Sequence, residues 1–262
     1  MGDARLARYE LFIAAAIVGA HAEHQQEGFR HRDVRFLIEL FSNWVESSLE
    51  GVLLEVQNSQ VARYIAELVR EGYARRITRK GFPRYRLTRV GLVELMTRAA
   101  HRSYVPQREH FFFLYYFITS YRYRFEQLVQ AEGRSFPVAL KLELDDLLDA
   151  KALVRRELEA ARRELTKLES KVRDAHSTAR LTRSCLSESR PLTEAVAEAQ
   201  KRYPYDLNSQ KPLVELISEI PPDLREWELT QGNENRARFI WEPAGALLKC
   251  YVAQLEALQR LH

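Results

Sequence analysis

The amino-acid sequence predicts a mainly α-helical chain that contains one small two-stranded β-hairpin. Three observations predict this fold class: apolar residues recur three and four positions apart along most of the chain, one basic segment alternates apolar and polar residues, and a later segment repeats apolar residues with a heptad spacing. The 262 residues, 46% of them hydrophobic, suffice for two domains with separate cores. We place these domains at residues 1–103 and 104–262.

The first helix is predicted for residues 3–26 and ends before Gly28. Its middle, from Leu11 to Ala20, is apolar on nearly all sides, so we expect it to be deeply buried or to lie in an interface. This apolar run is about half the length that a membrane-spanning helix needs, so no membrane contact is predicted.

A second helix is predicted for residues 32–48, followed by a short connector at 52–56. A third helix begins at Asn58 or Ser59, either of which can cap the free backbone N–H groups, and it ends before Gly72. Apolar residues on its inner face leave the polar residues, Arg63 among them, pointing away from the core.

Two short strands are predicted next, at 73–79 and 83–88, and then a helix at 90–102. In the second strand Tyr85 and Leu87 alternate with arginines, which is typical of a hairpin with one solvated face. Between Arg63 and Arg102 the chain has eleven Lys or Arg and three acidic residues, an excess of +8 within a net charge of +4. A local excess of this size indicates a phosphate-binding surface.

The rest of the chain is predicted to be helical. The aromatic segment 104–125 favours packed core or a subunit interface over a base-stacking surface. From Leu140 to Ala175 apolar residues step by four and three, with Lys151 as the polar interruption, which predicts a long coiled-coil helix paired with a second subunit or with a later helix. Helices are also predicted at 192–202 and 244–261. The candidate dimerisation residues are Leu144, Leu147, Val154, Leu158, Leu165, Leu168 and Val172.

No catalytic motif is found in the sequence. It contains no Gly-rich phosphate loop, no HExxH metal motif and no nucleophile elbow, so we predict no enzyme activity, no cofactor and no metal site. Cys185 and Cys250 are expected to be reduced thiols of a cytoplasmic, nucleoid-associated protein.

The order of helix, connector, capped helix and two basic strands is that of a winged helix-turn-helix. Asn58, Ser59 and Gln60 at the start of the third helix, with Arg63 one turn later, can reach base edges in the major groove of DNA. Basic residues of the hairpin are placed to follow the DNA backbone or to enter the minor groove: Arg76, Arg79, Lys80, Arg84 and Arg86.

Two motifs support this interpretation. Glu71-Gly72-Tyr73 follows the third helix, and Pro83-Arg84-Tyr85-Arg86-Leu87-Thr88-Arg89-Val90-Gly91 covers the second strand and the start of the next helix. Over residues 57–100 they resemble the "EGL … RYYxLTxxG" pattern of PadR-type transcriptional regulators and, more loosely, the MarR type. The resemblance implies a dimer formed by the helices after the wing, and operator contacts by Ser59, Gln60, Arg63, Tyr64, Arg79, Lys80 and Arg84.

We therefore expect a dimeric, sequence-specific transcription regulator that binds double-stranded DNA at a pseudo-palindromic site with half-sites about one helical turn apart. The alternative is a winged-helix and coiled-coil scaffold that binds a protein partner without DNA specificity. A protein-contacting wing, however, has little reason to carry five exposed basic residues. A third interpretation, an RNA-binding adaptor, requires the aromatic residues of 104–125 to lie on the surface.

Overall fold

A computed structural model describes residues 10–45, 57–78, 81–100, 107–133, 136–202 and 212–262. The chain is mainly helical with one two-stranded antiparallel sheet in these residues, which confirms the coarse fold class predicted from the sequence. It divides into two compact units, Met1–Leu153 and Val154–His262. Within the described ranges, no helix is both long enough and apolar enough to cross a membrane.

The first unit contains the elements in the predicted order. The connector predicted at 52–56 and the end of the second predicted helix, 46–48, lie outside the described residues. The elements are α1 Glu10–Glu23, α2 His31–Val45, α3 Asn58–Arg70, β1 Ala74–Arg76, β2 Tyr85–Leu87, α4 Arg89–Ala100, α5 Gln107–Glu132 and α6 Val138–Leu147.

Helix α1 is the centre of the first unit. All of its residues from Leu11 to Ala22 are buried, because α2, α4 and α5 pack around it. The aromatic residues of α5 complete this core: the rings of Phe113 and Phe12 meet edge to face with centroids 4.9 Å apart. The prediction that the apolar middle of α1 forms core is therefore confirmed. For the aromatic segment it is confirmed at Phe111, Phe113, Phe117, Tyr121 and Phe125, whereas Tyr116 and Tyr123 are exposed.

The burial of α5 also explains where the units divide. The boundary predicted at residue 103 precedes α5, whereas the first compact unit continues to Leu153. Charge composition changes near residue 103, but the aromatic face of α5 packs on α1 and α2 and so belongs to the earlier core.

The start of α4 is fixed against the chain that follows α3. The Thr88 hydroxyl accepts a hydrogen bond from the Gly91 backbone N–H at 3.1 Å and donates to the carbonyl oxygens of Gly72 and Tyr73. A Cβ on Gly91 would lie 1.9 Å from the Tyr73 carbonyl oxygen, so this close approach requires glycine. The Leu-Thr-x-x-Gly part of the motif thus has a structural role.

The predicted long heptad helix is interrupted. Helix α6 ends at Leu147, and α7 runs over Ala150–Ser187. Asp149 begins the new helix, because its carboxylate accepts the backbone N–H of Ala152 at 2.9 Å. The prediction of one continuous helix from Leu140 to Ala175 is therefore wrong between Leu147 and Ala150, although the seven-residue spacing of apolar residues continues across this break.

In the second unit α7 is followed by α8 Leu192–Arg202, α9 Leu213–Ser218 and a helical run that ends the chain. This run contains α10 Arg225–Trp227, α11 Asn233–Arg236 and α12 Glu242–Leu261, joined by π-helical turns at Glu228–Gly232 and Ala237–Trp241. The helices predicted at 192–202 and 244–261 correspond to α8 and α12.

The final helical run pairs with α7 in antiparallel fashion. Near one end Arg162 donates to Glu256 at 2.7 Å, farther along His176 meets Glu242 at 3.0 Å, and beyond them Arg183 donates to Glu234 at 2.6 Å. Inside the pair, the hydroxyl of Tyr251 donates to the buried Glu157 carboxylate at 2.9 Å. The heptad helix was predicted to pair either with a second subunit or with a later helix, and in the structure α7 pairs with the final helical run of the same chain.

Candidate nucleic-acid interface

The start of α3 presents two exposed polar side chains. The residue that precedes the helix is Gln57, whose backbone N–H donates to the Gln60 side chain at 3.0 Å. The prediction that Asn58 or Ser59 caps the helix is therefore wrong: both lie in its first turn with exposed side chains. Gln60 is half-buried and already holds this backbone group.

The remaining residues of α3 divide between a buried face and an exposed one. Arg63 is exposed, one turn after Ser59. Tyr64 is half-buried, and its hydroxyl accepts a hydrogen bond from Arg98 of α4 at 3.4 Å, so it connects α3 to the scaffold. Three buried residues hold α3 against the core: Val61, Ile65 and Leu68.

The hairpin is closed by side-chain hydrogen bonds beyond its strands. β1 pairs with β2 in the register Ala74 with Leu87 and Arg76 with Tyr85. The Thr78 hydroxyl accepts the Arg84 backbone N–H at 2.7 Å and donates to the Phe82 carbonyl oxygen at 3.3 Å. Arg79 and Lys80, two predicted DNA contacts, lie outside the described residues. Arg76 is exposed, and its Nε donates to the Thr78 carbonyl oxygen at 3.0 Å.

A single residue before α2 extends this small sheet. The backbone N–H and carbonyl groups of Phe29 both pair with Tyr85, at 3.0 and 2.8 Å, in an antiparallel bridge. Gly28, with φ +79°, makes the approach possible, since a Cβ there would lie 2.4 Å from Ile77 and 2.8 Å from the Tyr85 carbonyl oxygen. From the sequence, Gly28 was interpreted only as a helix end. The bridge fixes the loop end of β2 to the segment just before α2.

Two hairpin arginines bind the end of the α1 segment. Arg84 Nη1 donates to Glu27 Oε2 at 2.7 Å, and Arg86 Nη2 donates to the Gln26 carbonyl oxygen at 2.8 Å. Both side chains are partly buried. These arginines, predicted to contact DNA, therefore hold the hairpin in position in the free protein.

A cavity of about 310 Å³ opens between the hairpin and the N-termini of α2 and α3. We call it the groove. The His31 ring stacks on Tyr85 with centroids 5.2 Å apart, and burial lowers its pKa. Its Nε2 is buried without a hydrogen-bond partner among the described residues. The groove is lined by Arg30, His31, Arg32, Asn58, Phe82 and Pro83.

Sequence reasoning missed the basic wall of this groove. The signal was present as three consecutive residues, Arg30, His31 and Arg32, just after Gly28. They precede the basic window counted from Arg63, and only the Phe29 bridge brings them beside the hairpin. The Arg32 side chain is 77% exposed and lies 3.4 Å from the carboxylate of Asp33, which also accepts the Arg30 backbone N–H.

The predicted dimerisation residues fall into different environments. Leu144 and Leu147 belong to α6 and pack on the core of the first unit. Val154 and Leu158 are buried on α7, whereas Leu165, Leu168 and Val172 are half-buried there. Because α7 pairs with the final helical run of its own chain, its heptad face is not a free surface for a second subunit.

Neither a metal-binding cluster in the described residues nor a known relative helps to assign this site. Within the part of the chain that the structure describes, no three His, Cys, Asp or Glu side chains are grouped to hold a metal ion. The chain matches no protein-family model, and no curated protein or solved structure matches it.

Proposed function

We propose that residues 10–100 form a winged helix that binds double-stranded DNA with sequence specificity, and that the protein regulates transcription. The observation that carries the proposal is the groove. There, Arg30 and Arg32 at the start of α2, the exposed start of α3 and the tip of a braced hairpin lie side by side. These are the three parts with which a winged helix approaches DNA.

Helix α3 is the proposed reading helix. A helix about 10–12 Å across fits a major groove about 12 Å wide. Ser59 and Arg63 are exposed on the side away from the buried residues of α3, and Asn58 is exposed in its first turn, so all three can meet base edges. An arginine in this position can donate two hydrogen bonds to guanine, the commonest specific contact in DNA recognition. Tyr64 is proposed to hold α3 in place instead of contacting bases.

The groove is the proposed phosphate site. Arg30 and Arg32 supply positive charge at the N-terminus of α2, which is the end of a helix that favours an anion. Phe82 stands at the hairpin tip, 83% exposed, where an apolar side chain can lie against a deoxyribose or enter the minor groove. Arg84 and Arg86 contribute by bracing the hairpin.

A protein-binding face is the second candidate function. It is favoured by exposed apolar side chains of the first unit, among them Phe36 at 64% and Phe82 at 83% exposure. DNA binding and protein binding differ in their dependence on salt, because phosphate contacts release counterions whereas apolar contacts do not.

The test is fluorescence anisotropy with a labelled 30-base-pair duplex of mixed sequence, titrated at several salt concentrations between 50 and 200 mM. We expect the logarithm of the affinity to fall linearly with the logarithm of salt, by about 0.9 for each phosphate neutralised. Arg32→Ala should reduce this slope by about one. Arg180→Ala, which removes an exposed arginine of α7, is the matched control and should leave it unchanged.

Two results would contradict the proposal. The first is the absence of measurable binding at 50 mM salt, and the second is a salt slope that Arg32→Ala and Arg180→Ala change equally. Either result would favour the protein-binding face, which Phe82→Ser should then weaken.

A further inference from the structure

One arginine of α4 joins three parts of the first unit: α4 itself, α3 and the chain that follows α3. Arg98 Nε donates to Glu94 Oε1 on the same helix at 2.8 Å, and its Nη1 donates to the Tyr64 hydroxyl of α3 at 3.4 Å. Its Nη2 lies 3.8 Å from Oε2 of Glu71, the residue that ends α3. The guanidinium carbon lies 5.5 Å from the ring centroid of Tyr73. We call Arg98 with these four partners the clamp.

A guanidinium group is suited to make these contacts together. It is planar and carries its N–H donors in a fixed fork, so its edge can donate to Glu94 and Tyr64 while its face lies over the ring of Tyr73. A lysine ammonium is a compact point charge and cannot occupy the edge and the face positions at once. The Arg98 side chain is 27% exposed, so water competes for these contacts less than it does on an open surface.

The clamp acts on α3 beside the residue proposed to read bases. Tyr64 is the next residue after Arg63, so a hydrogen bond that holds the Tyr64 hydroxyl also fixes the direction in which Arg63 leaves the helix. Base-edge contacts need this precision, because a binding group must be held within about 0.5 Å and 10–20° of its productive geometry. The buried residues Val61 and Ile65 hold α3 on the core, but hydrophobic contacts are non-directional.

The chain just beyond α3 is fixed to α4 by a second set of contacts. The Thr88 hydroxyl, just before α4, donates to the carbonyl oxygens of Gly72 and Tyr73. α4 is in turn tied to α5, since His110 Nε2 lies 2.8 Å from the Ala99 carbonyl oxygen. Because α4 is held at both ends, the clamp connects α3 to a fixed part of the core.

We propose that Arg98 is a positioning residue, which sets the rotation of α3 through the clamp and thereby determines the sequence specificity of DNA binding without contacting DNA. The inference rests on the proposed function, in which α3 is the reading helix and Arg30 and Arg32 supply the phosphate-binding charge. Loss of Arg98 should therefore weaken binding to the preferred sequence and leave binding to unrelated DNA nearly unchanged.

The first experiment compares two labelled duplexes of about 30 base pairs, one with the motif that the wild type selects from a random library and one of mixed sequence. Anisotropy at about 100 mM salt gives both affinities, and their ratio measures specificity. We expect Arg98→Ala to lower this ratio at least about five-fold, the lower end of what one base contact contributes. Arg98→Lys should lower it as well, because a charge without the fork does not restore the clamp.

The hydroxyl of Tyr64 gives an independent variant of the same contact. Tyr64→Phe removes only the acceptor of the Arg98 hydrogen bond, so it should also lower the specificity ratio. Adding Arg98→Ala to Tyr64→Phe should lower the ratio by less than Arg98→Ala does alone, because the two residues act through one contact.

Two control variants separate positioning from loss of charge and from loss of stability. Arg122→Ala removes an arginine of α5 that also forms an ion pair four residues along its helix, with Glu126 at 2.9 Å. Leu128→Ala leaves a cavity at a buried core position of α5 and destabilises the first unit outside the clamp. Both variants should keep the wild-type specificity ratio.

The second experiment needs no DNA. Hydrogen exchange of the free protein, followed by mass spectrometry of its peptides, measures local opening of each helix. We expect Arg98→Ala to speed exchange of the α3 amides about three- to ten-fold, as the loss of a net hydrogen bond implies, with little change in α1. Leu128→Ala should instead speed exchange in α1 and α3 alike.

Each experiment can overturn the inference. Unchanged exchange of α3 in Arg98→Ala would show that the clamp does not hold the helix. An unchanged specificity ratio, a ratio fully restored by Arg98→Lys, or an equal loss of affinity for both duplexes would contradict positioning by the fork. A wild type that selects no motif would contradict the proposed function and with it the role of Arg98 in specificity, whereas faster exchange of α3 in Arg98→Ala would still support the clamp.

Discussion

Arg84 and Glu27 form an ion pair that ties the hairpin to the segment after the first helix, with Nη1 of the arginine 2.7 Å from Oε2 of the glutamate. The hydrogen bond from Arg84 stabilises the charged carboxylate and lowers the pKa of Glu27. A side chain that the sequence marks as a DNA contact therefore already has an acidic partner in the free protein. A DNA phosphate that approaches Arg84 must compete with this carboxylate.

Replacing Glu27 with glutamine should therefore strengthen DNA binding. The variant removes a negative charge beside the proposed phosphate site and frees Arg84, with an expected gain of about two- to five-fold in affinity. The gain should be equal for all sequences, because phosphates carry no sequence information. Anisotropy at 50 mM salt measures it, with Glu159→Gln on α7 as the charge-matched control. Weaker binding of Glu27→Gln would show that the ion pair is needed to position the hairpin.

Gly91→Ala should destabilise the first unit. A Cβ at this position would lie 1.9 Å from the Tyr73 carbonyl oxygen, so α4 must move away from the chain that follows α3. The expected loss is about 1–3 kcal/mol in the free energy of unfolding, measured by urea denaturation. Gly245→Ala is the control, since no described atom lies within 4 Å of its added Cβ in α12. It should stabilise the chain by about 0.5–1 kcal/mol. Equal effects would contradict the close contact at Gly91.

His21 should make stability depend on pH. Burial, with a smaller effect of Arg86 and Arg75, lowers the pKa of this histidine from 6.5 to about 4. The unfolded chain therefore binds a proton first as the pH falls, so the contribution of His21 is complete above pH 6.5 and is lost toward pH 4. We expect a loss of about 2 kcal/mol between pH 7 and pH 5. His21→Leu should remove most of this loss, as followed by urea denaturation at both pH values. An unchanged pH dependence in the variant would contradict the assignment.

The parts of the fold that follow from local pattern could be predicted from the sequence. The continuous apolar run of α1 indicated burial on all sides, and alternation around Tyr85 indicated the hairpin. The break between α6 and α7 could not be predicted, because the heptad spacing continues through it while the cap by Asp149 depends on one side chain. Periodicity specifies which face of a helix is apolar but does not specify which helix covers that face.

The candidate site was predicted only in part for a related reason. Ser59 and Arg63 are exposed as expected, because their positions follow from the buried face of α3, and Asn58 is exposed because it is the first residue of the helix. The partners of Arg84 and Arg86 lie 57 and 60 residues away in sequence, so spacing along the chain gives no sign of them. Arg30 and Arg32 join the site through the bridge of Phe29, which is one residue long and below the length of any strand pattern.

The measurement that tests the central claim most directly is selection of binding sites from a random duplex DNA library by the wild type and by Arg63→Ala. We expect the wild type to enrich one motif. With Arg63→Ala, preference should relax at one base pair of that motif, at a cost of about 1–3 kcal/mol for the preferred site and little change for unrelated DNA. Enrichment of no motif by the wild type, or of an identical motif by both proteins, would contradict the assignment of α3 as the reading helix.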